Sequence, residues 1–166
     1  ASRTRRSSRC SCAHWERSSN GPARSWSVQI AGSTKKQRLG ASPVFGGGQL
    51  FVMDTNGVVH AFDAQTGSLR WTKGFEIQGD GSNSVYGGGA AYDSGRVYIT
   101  TGMGEVAALD ATDGKVLWKV KPAGPLRGSP TIAFNAIYVM TQDNQIHALN
   151  PADGASLWSE SGSSGL

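Results

Sequence analysis

One unit of 29 residues occurs three times, and it constrains the fold more than any other feature of the chain. It runs from Pro43 to Trp71 (PVFGGGQLFVMDTNGVVHAFDAQTGSLRW), from Ala90 to Trp118 (AAYDSGRVYITTGMGEVAALDATDGKVLW) and from Pro130 to Trp158 (PTIAFNAIYVMTQDNQIHALNPADGASLW). The copies align without a gap. A repeat of this kind names a structural unit that is stacked with its neighbours, because one unit cannot bury its own apolar faces.

Within a unit, short apolar runs alternate with turns. Gln49 to Asp54 and Val58 to Asp63 read as strands, joined by Thr55-Asn56-Gly57. Asn-Gly between β-rich runs is a hairpin signal, since both residues tolerate positive φ. Gly102-Met103-Gly104 and Asp143-Asn144 stand in the same place. A second turn follows at Asp63 to Gly67, Asp110 to Gly114 and Asn150 to Gly154. Its leading Asp or Asn can bond the turn's own backbone, and its Gly supplies a left-handed position. A last strand ends in Trp71, Trp118 or Trp158. With one further short strand in front, such as Ser42 to Phe45, the unit predicts a four-stranded antiparallel blade. The expected fold class is all-β, a β-propeller of such blades. Trp26, Trp71, Trp118 and Trp158, with Gly67, Gly114 and Gly154, are the expected blade-docking residues. Each Trp reads as an apolar plug between blades whose N–H reaches a neighbouring backbone carbonyl.

The pattern Ala-x-Asp-x-x-Thr/Asp-Gly-x-x-x-Trp, at Ala61 to Trp71 and Ala108 to Trp118, resembles the tryptophan-docking repeat of propellers related to pyrroloquinoline-quinone (PQQ) proteins. The third copy, Ala148 to Trp158, departs by Asn150. Propellers have about 4 to 8 blades, and three are visible here, so an incomplete ring is expected. The Trp-to-Trp steps are 45, 47 and 40 residues.

Charge is unevenly spread. Residues 1–40 hold nine Lys or Arg and one acid, Glu16, a net of +8, while residues 41–166 carry −4. The repeats are therefore mildly acidic, and the basic overall balance does not argue for nucleic acid. Residues 1–24 show neither strand nor helix periodicity and no apolar segment, the composition of a disordered or non-native leader. Residues 25–160 form the partial propeller, with Ser25 to Ile30 as a strand. Residues 161–166 read as a flexible tail. Cys10 and Cys12 lack the further ligands that zinc requires.

Chemistry-bearing residues find structural uses. His60 and His147 share a repeat slot that Ala107 fills in the middle copy, which suits packing, and no orienting partner is evident. Asp63, Asp110 and Asp113 fall in turns without calcium-loop spacing. The glycine runs at 46–48 and 87–89 lack the phosphate-loop pattern. No catalytic residue, metal site, cofactor or small-molecule substrate is expected. One interblade loop, Pro125 to Pro130, places Leu126 beside Arg127 as a candidate anchor pair.

Two stretches, Lys35 to Asp54 and Gly124 to Trp158, are similar to the BamB-type outer-membrane protein assembly factors. The resemblance implies a non-enzymatic scaffold on the periplasmic face of the outer membrane. It also implies the POTRA domains of BamA and the barrel assembly complex as partners. A Leu-x-Leu-Arg loop makes that contact in the family. Leu126 and Arg127 match its end, while Gly124 stands where its first Leu would be. Two alternatives stay open: a fragment of a PQQ- and Ca²⁺-dependent quinoprotein alcohol dehydrogenase, and a PQQ-like repeat protein with another partner.

Overall fold

The computed structural model describes residues 26–30, 42–75, 88–122 and 124–162. The basic leader lies outside the described residues, as do Cys10 and Cys12. Among the described residues, twelve strands form three sheets of four, each in meander order. The first blade is β1 (Val44–Gly46), β2 (Gln49–Met53), β3 (Val58–Asp63) and β4 (Leu69–Gly74). The second is β5 (Gly89–Asp93), β6 (Arg96–Thr100), β7 (Val106–Asp110) and β8 (Val116–Val120). The third is β9 (Leu126–Ala133), β10 (Ala136–Thr141), β11 (Gln145–Leu149) and β12 (Ser156–Ser161). Every pairing is antiparallel. The chain is an all-β array of propeller blades.

Alternation along each strand sends side chains to opposite faces, and both faces of the middle blade are covered. Phe51, Met53, Val59 and Ala61 of the first blade pack with Ala90, Val97, Ile99, Ala107 and Leu109 of the second. Tyr98, Val106 and Ala108, from the other face of the second blade, pack with Leu126, Ile137, Val139 and Leu149 of the third. Each core therefore lies between blades. Fully burying one such side chain stabilises by about 1.5–3 kcal/mol, and that gain exists only when two blades meet.

The turns explain the repeat's polar positions. Residues 54, 101 and 141 are Asp, Thr and Thr, all buried. Each closes the second hairpin: Asp54 Oδ1 accepts from the N–H of Asn56 and Val58, Thr101 Oγ1 from that of Glu105, and Thr141 Oγ1 from that of Gln145. Of Asn56 and Gly57, which both tolerate positive φ, one adopts it. Gly57, Gly104 and Asn144 are left-handed there, and Asn56 is not. The loop has three residues, which requires one left-handed position rather than two.

Three boundaries also differ from expectation. Residues 26–30, expected as part of a strand, are irregular. Ser161 and Gly162, expected in the tail, are ordered: Ser161 pairs with Gln145 in β12, and Gly162 N–H donates to Asn144 O. The Leu126–Arg127 segment is no loop but the start of β9, so the second and third blades are joined by residues 121–125 alone. Pro130 and Gly128 are residues that disfavour a regular ladder. A register shift between Tyr138 and Met140 accommodates both, leaving them outside the ladder.

Candidate functional site: blade seats and an exposed arginine

Trp26, Trp71 and Trp118 each cross to the next blade. Trp26 Nε1 donates to Ala64 O at 3.0 Å, Trp71 Nε1 to Ala111 O at 2.9 Å and Trp118 Nε1 to Pro151 O at 3.0 Å. The three carbonyls occupy one repeat position. They lie in a turn closed by Gly67 N–H to Asp63 O, Gly114 N–H to Asp110 O and Gly154 N–H to Asn150 O. The glycine is left-handed in all three, and a Cβ on it would stand 2.5–2.7 Å from the indole. A residue with no side chain is thus required twice, for its φ and for the ring above it. Behind the ring, Trp71 meets Phe51 and Trp118 meets Tyr98, with centroids 5.9 and 6.1 Å apart. Trp158 packs on Tyr138 in the same way, yet it stays 45 % exposed, with Met140 and Ile146 exposed beside it.

The turn carboxylates work as caps. Asp63 Oδ1 accepts from the N–H of Gln65 and Thr66, and Oδ2 pairs with Arg70. The Arg70 guanidinium, then the Thr66 amide and hydroxyl, hold the Asp63 carboxyl well below the usual carboxylate range. Asp110 is lowered as well, chiefly by the Thr112 N–H. Asn150 replaces Asp in the third blade without loss of the cap, since its Oδ1 accepts from Ala152 N–H at 2.9 Å.

The two histidines of the shared slot differ. His60 Nε2 lies 3.0 Å from Asp54 Oδ2, so it has the orienting carboxylate that sequence reasoning did not find. A signal existed: residues 54 and 60 flank one hairpin and project on the same side. The same carboxylate also closes the turn. His147 is buried between the second and third blades, and its Nε2 has no partner among the described residues.

The expected anchor pair separates. Leu126 is 0 % exposed and belongs to the core between blades two and three, so its side chain is not displayed to a partner. Arg127, paired in register with Met140, is exposed. Of the three described arginines, Arg70 is bound to Asp63 and Arg96 to Pro151 O, while Arg127 has no hydrogen-bond or ion-pair partner among the described residues. Two residues carried no sequence expectation. Phe134, at the tip of the β9–β10 hairpin, is 97 % exposed with φ 48°. Thr100 is buried and touches the backbone beside Arg127.

The arrangement matches known proteins at two levels. The chain is similar in structure to BamB from Moraxella catarrhalis, with a TM-score of 0.61 and 22 % identity over 78 % of this chain and 39 % of that one. It is similar to quinohemoprotein alcohol dehydrogenase from Comamonas testosteroni, with a TM-score of 0.62 and 27 % identity over 75 % of this chain and 21 % of that one. It is also similar to the computationally designed protein Ika4, with a TM-score of 0.62 and 16 % identity, covering 82 % of this chain and 81 % of that one. The chain thus spans about two-fifths of the BamB structure. No curated protein sequence matches it. The family described as outer membrane protein assembly factor BamB matches residues 15–86 and 78–166. Those segments take in all three repeats, so the chain belongs to the BamB family of PQQ-like repeat proteins.

Proposed function

We propose that the protein is a non-catalytic scaffold of outer-membrane β-barrel assembly, acting on the periplasmic face of the outer membrane. Its partner is BamA, through the POTRA domains, and Arg127 makes the contact. The observation that carries this reading is the state of Arg127: an exposed guanidinium without a partner among the described residues, on a strand whose preceding residue, Leu126, is locked in the core. A buried neighbour holds the backbone still, so less ordering is needed when the arginine engages a carboxylate. Leu126 contributes through the core, as the support of Arg127. The tryptophan seats keep the blades in one rigid body and so fix where Arg127 stands.

Titration of the chain with a soluble BamA POTRA fragment tests the reading. Arg127→Glu is expected to weaken binding by at least tenfold, because it reverses the charge at the contact. Unchanged affinity would remove Arg127 from the contact.

The likeness to a quinohemoprotein alcohol dehydrogenase supports a second reading, a fragment of a quinoprotein enzyme. PQQ with Ca²⁺ would then bind, which the scaffold reading does not expect.

A further inference from the structure

One repeat position beside Arg127 changes its chemistry in the middle blade, where it is buried. Met53 of the first blade and Met140 of the third align with Thr100 of the second, a hydroxyl where the sister blades carry a thioether. Thr100 is 1 % exposed. Its Oγ1 accepts from Gly89 N–H at 3.1 Å and donates to Gly128 O at 2.7 Å. The Gly89 carbonyl, at 3.4 Å, is the weaker alternative acceptor for the same proton.

Gly128 follows Arg127 directly. It has φ 66° and lies within the register shift of β9, outside the ladder with β10. A carbonyl released from a ladder needs another donor, and the Thr100 hydroxyl supplies it from the neighbouring blade. The two innermost strands also touch here: a Cβ on Gly89 would stand 1.9 Å from Ser129 Oγ. Bulges re-aim side chains, and this one is pinned across the blade interface one residue from the free arginine. Neither the first strand of blade one nor that of blade two has a register shift.

We infer that Thr100 is a positioning residue for Arg127, its hydroxyl fixing the Gly128 bulge and with it the direction in which the guanidinium is presented. The inference rests on the reading that Arg127 contacts the partner. Gly128 itself is exposed, so water can satisfy its carbonyl when the hydroxyl is lost. The loss then falls on orientation more than on stability.

The test is a double-mutant cycle on the full chain, titrated with the soluble BamA POTRA fragment, with thermal midpoints read in parallel. Thr100→Val is expected to weaken binding about five- to tenfold, the effect of one net hydrogen bond. Thr100→Ser, which keeps the hydroxyl, is expected to restore it. In an Arg127→Ala background the same Thr100→Val change is expected to add less than about twofold, since coupled residues are not additive. Thr100→Ala serves as a second hydroxyl deletion if the valine variant does not fold. Equal weakening with and without Arg127 overturns the inference, because Thr100 would then act through general stability. Weakening by Arg127→Ala with none from Thr100→Val also overturns it and leaves the Arg127 reading standing. If Arg127→Ala itself changes nothing, both fall.

Discussion

Trp71 sits on Gly114 of the next blade, its N–H bonded to Ala111 O at 2.9 Å and its ring 2.5 Å from where a Gly114 Cβ would stand. The glycine and the indole fill one volume, so a side chain can be present on only one of them. Gly114→Ala adds a methyl that must displace a packed ring and also strains a φ of 73°. It is expected to cost roughly 2–4 kcal/mol, read from denaturant unfolding. Gly95→Ala is the control, with φ 80° but open space around the new methyl. It is expected to cost only the backbone strain, about 1 kcal/mol.

The tryptophans are chemically alike but not equally placed. Trp71→Ala removes an interblade plug and leaves Ala111 O without its donor, an expected loss of about 3 kcal/mol or more. Trp158→Ala removes a ring that is 45 % exposed and bonded to no turn carbonyl among the described residues. Its expected cost is within about 1.5 kcal/mol. Equal losses for the two would show that stacking on Phe51 or Tyr138, rather than the glycine seat, supplies the stability.

Phe134 holds φ 48° with its ring in solvent, at the position of Gly47 and Ser94 in the other hairpins. Both central residues of each of these turns are left-handed. Phe134→Gly relieves strain and removes no packing, so it is expected to raise stability by about 1 kcal/mol in the same unfolding assay.

Acid sensitivity has a specified source. The folded-state pKa of Asp63 is depressed, first by Arg70 and then by Thr66. Its contribution is therefore fully present above the unfolded carboxylate value, about 3.9, and is lost as pH falls toward the folded one. Asp63→Asn keeps the amide-accepting oxygen, as Asn150 does in the third blade, but cannot titrate. The midpoint difference between wild type and the variant is expected to shrink steadily from about pH 5 to pH 2. A constant difference would show that the Arg70 pair adds nothing to folding.

Much of this architecture was legible because the repeat is exact. Strands, turns and the plug position recur in register, and local chemistry such as the Asp63 and Asn150 caps follows from spacing alone. Contacts between blades were less legible. Nothing in the order of residues says that Thr100 meets Gly128. The Leu126–Arg127 segment was read as a loop, and its strand is hard to see in the sequence because Gly128 and Pro130 disfavour a ladder unless a bulge absorbs both. His60 found its carboxylate, Asp54, across a hairpin whose geometry sequence reading left undrawn.

The most direct test of the account is one calorimetric experiment with two titrants, the BamA POTRA fragment and PQQ with Ca²⁺. The scaffold account predicts saturable binding of the fragment, weakened at least tenfold by Arg127→Glu, and no heat from the quinone. Saturable quinone binding that depends on Ca²⁺, with no response to the fragment, would contradict it.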